Sequence, residues 1–385
     1  MSLATSKLGK SKAGTMRLST YARGGYRRYF SWVANFIGYL SFRIHHPKGE
    51  LLVLISSFQH PYVRNLRFSL RGRVFFAQLP QWHLRAVPIP LRTVDIFHLH
   101  FINEMALDLE GTRSFIRRLQ AAGTKIVWTA HDLIPHNKDY AQYEPIFALW
   151  AQAADGMIHH SRSGEDMIRA RYNFRPDCEH VVIMEAFSRD HANLAIREQR
   201  SNIERSYDLA PAPIRIALIG NPRVERQVID FLEGVHQSSN QNIQVVCWSL
   251  RPTENPPKDA RIAIAEPWTF VEDEEITERL AMSDLLAMPI TPDGEMLTTG
   301  LVGDAFGMGL GMLVSSWNFL TETTADAGIF CGDTVNEIAQ SLNRLTEPDV
   351  VQAKRASLRI REDRNWLNSG LQHLAFYERI RAKER

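Results

Sequence analysis

Cysteine is scarce in this sequence: Cys178, Cys247 and Cys331 stand far apart and form no Cys-x-x-Cys pair. A disulfide scaffold or a cysteine zinc site is therefore not expected, and a reducing cytoplasm fits the composition. Net charge is also small, since 45 basic and 43 acidic residues leave +2, so composition gives no support for a nucleic-acid partner. The 385 residues exceed what one hydrophobic core usually spans, and two domains are expected.

Acidic residues are missing from residues 1–49, which contain nine lysines and arginines. Within this leader, residues 29–42 are apolar and aromatic except for small or polar residues at helical spacing. The segment is shorter than the ~20 residues that cross a bilayer, and no small-residue cleavage site follows it. It is typical of a basic amphipathic helix on an anionic membrane surface, and equally of a tail followed by a helix packed on the protein's own core.

The rest of the chain alternates apolar strand patterns with helical patterns, twice over. In the first half, strands are predicted at 51–57, 94–100, 125–130, 156–160 and 180–184, and helices at 105–121, 143–153 and 163–172. A polar stretch over 188–213, rich in proline at its end, is typical of a linker. In the second half, strands are predicted at 214–219, 243–248, 261–265, 284–288 and 312–315, and helices near 225–234, 274–282, 300–307, 335–345 and 364–381.

This alternation of strands and helices predicts an α/β protein with two doubly wound parallel sheets. We expect two Rossmann-like domains, at 50–205 and 206–363, that face each other across a cleft. Ligands of such sheets bind outside the carboxyl ends of the strands, so functional residues are expected in the loops that follow strands.

The first such loop in the second half is Gly220-Asn221-Pro222-Arg223-Val224-Glu225-Arg226. Glycine lets the backbone approach a ligand, the next helix offers free N–H groups, and Arg223 and Arg226 can neutralise a diphosphate. An ordinary turn with solvated arginines is the alternative. No G-x-x-x-x-G-K-[ST] occurs, and no G-x-G-x-x-G follows either first strand, which argues against a P-loop hydrolase and a dinucleotide oxidoreductase.

A second loop, after the strand predicted at 284–288, ends in Thr298-Thr299-Gly300 at the start of a predicted helix. Threonines there are expected to cap the helix and to leave N–H groups directed at an anion. Capping alone is the alternative function of these residues.

In the first half, His131 and Asp132 leave the strand predicted at 125–130 toward the cleft. An adjacent His and Asp can act as a general base or orient a sugar hydroxyl; alternatively they only hydrogen-bond the turn. His98 and His100 share one face of a strand, and His159 and His160 end another. We expect these histidines to line the cleft wall, and no catalytic metal.

Six segments in order resemble a known family over residues 51–377: DIFHLH (95–100), VWTAHDLIPH (127–136), GNPRVER (220–226), FVEDEEI (270–276), the run from AMSD (281–284) through TTG (298–300) to Gly309, and Trp366 with Tyr377. They are similar to motifs of the GT-B glycosyltransferases. The likeness is strongest to the glycosyltransferase family 4-like bacterial enzymes of exopolysaccharide and lipid-linked oligosaccharide synthesis, including the β-mannosyltransferase-like branch. The resemblance implies a C-terminal helix, 364–385, that crosses back to the first domain.

The resemblance also implies an activity. This is a metal-independent hexosyltransferase without a cofactor, which moves a mannose- or glucose-type sugar from a GDP- or UDP-linked donor to a lipid-linked or polysaccharide acceptor. The implied catalytic residues are Asp132 and His131. The implied donor-binding residues are Gly220, Asn221, Arg223, Arg226, Glu295, Thr298, Thr299, Gly300 and Asp304. The implied acceptor-side residues are His60, Tyr62, Arg64 and His136. The expected location is cytoplasmic, at the inner membrane surface.

One departure keeps other functions open. Retaining members carry E-x7-E, whereas this chain has Asp304 at the second position, Met296 at the first, and Glu295 displaced by one. The stereochemical outcome is therefore not fixed. A catalytically inactive subunit of a polysaccharide assembly complex and a nucleotide-sugar epimerase of the same fold remain as alternatives.

Overall fold

The computed structural model describes residues 50–78, 91–105, 107–134, 140–184, 214–220, 225–251, 253–265, 273–291 and 296–383. The leader, the whole of the expected linker, and Asn221, Arg223, Glu295 and His136 lie outside these ranges. Predictions that concern them remain predictions.

The first half forms a six-stranded parallel sheet in the order β2-β1-β3-β4-β5-β6. Its strands are β1 (Leu51–Ile55), β2 (Val74–Gln78), β3 (Ile96–Leu99), β4 (Lys125–Thr129), β5 (Gly156–His159) and β6 (Glu179–Val182). Its helices are α1 (Pro61–Ser69), α2 (Leu109–Ala122), α3 (Tyr140–Ala153) and α4 (Arg162–Arg171), with 3₁₀ turns at Leu91–Thr93 and Ile102–Met105.

The second half forms another six-stranded parallel sheet, in the order β12-β11-β10-β7-β8-β9. Its strands are β7 (Ile214–Leu218), β8 (Ile243–Cys247), β9 (Ile262–Ile264), β10 (Leu285–Met288), β11 (Gly311–Val314) and β12 (Gly328–Phe330). Its helices are α5 (Val228–Gln237), α6 (Asp273–Ala281), α7 (Leu301–Met308), α8 (Asn318–Thr324), α9 (Val335–Arg344) and α10 (Glu347–Asp363), with a 3₁₀ turn at Ala325–Ala327. The predicted pair of doubly wound parallel sheets is confirmed.

In both sheets, an aspartate that directly precedes one strand accepts a backbone hydrogen bond from the neighbouring strand. The carboxylate of Asp95 accepts the Leu52 N–H at 2.8 Å, and that of Asp155 accepts the Ile126 N–H at 2.8 Å. In the second sheet Asp284 accepts the Arg215 N–H at 3.0 Å. Because backbone donors at buried strand ends must be satisfied, these aspartates fix the register where each strand begins.

The predicted strands agree with the observed ones to within one or two residues, but five elements were missed: β2, α1, α8, β12 and α10. Two of these helices nevertheless have recognisable start sequences. Pro61 occupies the first turn of α1 after His60 at the N-cap, and Thr346 forms a capping box with Asp349 at the start of α10. By contrast, β12 is a three-residue edge strand, too short for an alternating pattern.

The last helix, α11 (Trp366–Ala382), packs on the first half. Phe376, Tyr377 and Ile380 are fully buried in the same core as β1 and α1. At its end, the Arg379 Nε lies 2.8 Å from a Glu179 carboxylate oxygen, beside β6. Within the described ranges no helix is long and apolar enough to span a bilayer.

The two halves meet at the carboxyl ends of their strands. Asp132, just after β4, forms an antiparallel backbone bridge with Met296, in the segment between β10 and α7. Nearby, the Glu322 carboxylate of α8 accepts the backbone N–H groups of Arg162 at 2.6 Å and Ser163 at 3.0 Å. These are the first residues of α4, where a carboxylate satisfies open donors and complements the helix dipole.

Candidate functional site

Five histidines form a buried histidine cluster at the carboxyl end of the first sheet: His98, His100, His131, His160 and His373. Four of them end or follow β3, β4 and β5, and the fifth comes from α11. None is more than 8% exposed. Burial lowers the pKa of every member, to about 4 for His160 and His373, and the rings are therefore neutral near pH 7.

Three of these rings form a chain of hydrogen bonds with a defined direction. His160 Nδ1 lies 3.0 Å from the Ile183 carbonyl, which can only accept, so this nitrogen carries the proton. The neutral His160 Nε2 then accepts from His131 Nδ1 at 3.3 Å, and His131 Nε2 accepts from His100 Nδ1 at 3.1 Å. Both ring nitrogens of His131 are thus engaged inside the cluster. His100 Nε2 ends the chain as a buried acceptor with no hydrogen-bond partner among the described residues.

Two tyrosine–histidine contacts tie α11 to the first sheet. His373 Nδ1 donates to the Ser369 carbonyl at 2.7 Å, which leaves its Nε2 to accept the Tyr62 hydroxyl at 3.2 Å. The Tyr377 hydroxyl lies 2.6 Å from His98 Nδ1. On its other side, His98 Nε2 contacts the Thr129 hydroxyl at 2.8 Å. The cluster therefore joins β3, β4, α1 and α11 through polar contacts.

His60 and Asp132 lie at the half-buried rim of the cluster. As the N-cap of α1, His60 accepts the Tyr62 N–H on Nδ1 at 3.3 Å, so a neutral ring carries its proton on Nε2. Burial lowers the pKa of His60, opposed by the nearby charges of Glu104 and Asp132. The Phe101 ring separates the rim from the interior, with centroids 4.2 Å from His60 and 4.3 Å from His131. A carboxylate and an imidazole donor thus share the rim.

The turn after β7 is held by side chains on both sides. Gly220 has φ +120°, and a Cβ on it would collide with the guanidinium of Arg226. Arg226 Nη1 donates to the Ile219 carbonyl at 2.7 Å, and the Ser249 hydroxyl donates to the Gly220 carbonyl at 2.5 Å. Arg226, expected to contact a donor diphosphate, therefore supports the backbone of the turn.

The helix start at 298–300 corrects one expectation. Gly300, not a threonine, occupies the N-cap of α7, and among the described residues no side-chain hydrogen bond caps this helix. Thr299 is buried and Thr298 is half-buried. Asp304 lies in the first turn and is also buried, where the positive end of the helix dipole favours its carboxylate. The glycine at the N-cap places no side chain of its own beside the first N–H groups of α7.

Solved structures provide the comparison with known proteins, since no family model and no curated protein matches the sequence. HepE from Anabaena, solved with UDP and glucose, is 12% identical, with a TM-score of 0.61 over 86% of this chain and 100% of that one. A glycosyltransferase from Rickettsia africae is also 12% identical, with a TM-score of 0.62 over 88% and 100% of the two chains. Sucrose-phosphate synthase from Thermosynechococcus elongatus is 12% identical, with a TM-score of 0.60 over 86% of this chain and 99% of that one. This chain has the GT-B glycosyltransferase fold.

Within this fold, the structure brings some predicted residues together and separates others. His131, Asp132, His60 and Tyr62 converge at the carboxyl end of the first sheet. Arg64 lies on the outer face of α1 and lines a surface cavity there. Across the bridge to Met296, the second half contributes α7 and the turn at Gly220. In the described ranges no group of three or more His, Cys, Asp or Glu side chains is arranged to hold a metal ion.

The sequence did not predict that α11 contributes His373 to the cluster, and His159, expected at the cleft wall, lies outside the cluster. His373 and Tyr377 stand four residues apart on the buried face of α11, a spacing visible in the sequence, but their partners lie far away in it. His98 and His100 do share one face, with ring centroids 4.0 Å apart. His159 does not join them, because the alternation of the strand turns it toward His180, 2.9 Å away.

Proposed function

We propose that this chain transfers a hexosyl group of the mannose or glucose type from a nucleoside diphosphate sugar to a lipid-linked or polysaccharide acceptor, without a metal. The observation that carries the proposal is the bridge between Asp132 and Met296. It places the rim carboxylate of the first half beside the segment that leads into α7 of the second. Support also comes from the UDP-bound state of HepE, a protein of the same fold.

The second half would bind the donor. A nucleoside diphosphate carries its negative charge on the phosphates, and the glycine-capped start of α7 offers backbone donors to such a group. The left-handed Gly220 lets the turn after β7 approach the ligand closely. Arg223 and Glu295 remain predicted contacts, to the diphosphate and to a ribose or sugar hydroxyl, and Asp304 is a second candidate for the latter.

In the first half, Asp132 is the better candidate for the base. Neutral His131 has both ring nitrogens committed to neighbouring histidines, so it positions the loop rather than accepting a proton. If the reaction inverts, Asp132 takes the proton of the acceptor hydroxyl as its oxygen bonds to the anomeric carbon. The bond from that carbon to the phosphate oxygen breaks, and the diphosphate leaves with the electron pair. His60 Nε2–H can donate to a sugar hydroxyl at the rim.

The basic leader would bind the enzyme to a membrane surface. Residues 1–49 would hold the enzyme on the cytoplasmic face of the inner membrane, where lipid-linked acceptors are found. Deletion of 1–49 is expected to weaken binding to anionic vesicles while nucleotide binding persists. Unchanged vesicle binding would refute this role of the leader.

An inactive assembly subunit is the second candidate, favoured by the buried Met296 where retaining members carry a carboxylate. A thermal-shift screen with UDP, GDP, dTDP and their common sugar conjugates, with and without EDTA, separates the two. A specific rise in Tm that survives EDTA is expected for a metal-independent transferase and identifies the base of the donor. No shift with any of these nucleotides would favour the inactive subunit.

A further inference from the structure

The outer face of α1 and the turn after it carry four arginines, Arg64, Arg67, Arg71 and Arg73, and residues 61–73 contain no acidic residue. Three of them line a surface cavity of about 410 Å³ between α1 and the edge strand β2, together with Phe68 and a single acid, Glu50. We call the four arginines and Phe68 the α1 arginine face.

None of these arginines forms an ion pair with another described residue. Arg67 is the most constrained: its guanidinium stacks on the Phe58 ring and donates to the Phe58 carbonyl at 3.2 Å. Its buried Nε has no partner, and burial lowers its pKa to about 10. Charged groups that are partly desolvated are normally paired, so an external anion is the missing element.

Apolar side chains project from the same region. Phe68 is 76% exposed and lies on α1 between Arg64 of the same helix and Arg71 of the turn that follows it. Beside it α1 packs on α11, where Gly370 lies against Ser69. Leu367 and Leu371, at the flank of that contact, are 58% and 37% exposed. Exposed aromatic and aliphatic side chains among arginines match the boundary between lipid headgroups and acyl chains.

We propose that the α1 arginine face docks on an anionic phospholipid surface, with phosphate headgroups at Arg64, Arg67 and Arg71 and Phe68 inserted among the acyl chains. The chain's own leader is an unsuitable occupant, because residues 1–49 carry nine basic residues and no acid and would be repelled. A polyanion in water would leave Phe68 and the two leucines exposed. This inference does not depend on the sugar chemistry.

The first test measures binding of the full-length chain to vesicles of phosphatidylglycerol mixed with phosphatidylcholine. Since each basic residue near such a surface contributes roughly a fivefold factor, R64A/R71A is expected to bind about 25-fold more weakly. R355A/R359A is the matched control: these two arginines are exposed on α10 and form no ion pair with a described residue, but α10 also carries four acidic residues. The control is expected to bind as the unmodified chain does.

The second test locates the contact. Phe68→Cys is labelled with an environment-sensitive fluorophore and compared with Leu358→Cys, an exposed position on α10. The native thiols label poorly near neutral pH, because burial raises the pKa of Cys178 and Cys331 to about 12 and that of Cys247 to about 11. Added anionic vesicles are expected to move the label at position 68, and not that at 358, into an apolar environment.

Three results would overturn the proposal. In the first, R64A/R71A binds vesicles as tightly as the control does. In the second, the label at position 68 stays in an aqueous environment while the protein is bound to vesicles. Either result would assign the contact to the leader. The third is an equal response of that label to a soluble polyanion such as heparin, which would indicate a polyanion site instead of a bilayer.

Discussion

The Tyr377 hydroxyl lies 2.6 Å from His98 Nδ1, although 279 residues separate the two in sequence. Both side chains are fully buried. This contact fastens the last helix to the sheet that carries the candidate base, and the Tyr62–His373 pair fastens it to α1. The geometry of the first half of the site therefore depends on the end of the chain.

Removal of this hydroxyl tests the attachment. Tyr377→Phe leaves His98 Nδ1 buried without its partner, and we expect a loss of about 1–3 kcal/mol in the free energy of unfolding. Denaturant unfolding measures it. Tyr143→Phe is the control, at a half-buried tyrosine of α3 that forms no hydrogen bond with another described residue, and it should change stability by less than about 0.5 kcal/mol. Equal effects of the two substitutions would show that the contact contributes nothing.

The buried histidines predict a loss of stability in acid. The pKa of His373 is about 4 in the folded chain against 6.5 when unfolded, so between these values the unfolded state binds the extra proton. The ring's contribution is complete above pH 6.5 and is lost as pH falls toward 4. In unfolding curves between those pH values, His373→Gln should reduce the slope of stability against pH by about 1.4 kcal/mol per unit. The exposed His236→Gln serves as control; an unchanged slope in His373→Gln would contradict the assignment.

Substitution of Gly220 separates the cost of a Cβ at a positive φ from the cost of a steric contact with Arg226. Gly220→Ala and Gly123→Ala both place a Cβ on a left-handed residue, at a cost of about 1–2 kcal/mol. Only at Gly220 does the new Cβ meet another group, the Arg226 guanidinium, because nothing lies within 4 Å at Gly123. We therefore expect Gly220→Ala to lower Tm more and also to weaken nucleotide binding. Equal Tm losses with intact nucleotide binding would refute the close packing of this turn.

The Glu322 carboxylate joins the two halves. Glu322→Gln replaces charge-assisted bonds to the Arg162 and Ser163 N–H groups by neutral ones, which we expect to cost about 1 kcal/mol. Small-angle scattering should show a larger radius of gyration for the variant. Glu378→Gln, exposed on α11, is the control. A radius identical to that of the control would mean that other contacts hold the halves together.

Much of the fold could be predicted from the sequence because its strands are buried on both faces. Continuous apolar runs such as Leu51–Ile55 mark such strands directly. Element starts that depend on one or two residues were harder to identify. Pro61 after His60 predicts a helix only when a histidine is considered as a cap, and the N-cap of α7 is Gly300 although two threonines precede it.

The site was predictable where its residues follow strands and unpredictable where distant segments meet. His131 and Asp132 were found by their position after β4. The hydrogen bonds of both His131 ring nitrogens could not be predicted, because their partners His100 and His160 are positioned by other strands. The attachment of Arg226 to Ile219 likewise depends on how the turn after β7 folds.

The most direct test of glycosyl transfer is the release of nucleoside diphosphate from the donor that the thermal-shift screen selects, assayed for the unmodified chain, Asp132→Asn and Asp166→Asn. Asp166 is an exposed carboxylate on α4 of the same half and serves as the matched control. We predict release by the unmodified chain and Asp166→Asn, and a rate lower by about 10²–10⁴-fold in Asp132→Asn, which cannot accept the proton. Release by Asp132→Asn at the unmodified rate would contradict the base assignment, and no release from any donor would contradict the activity itself.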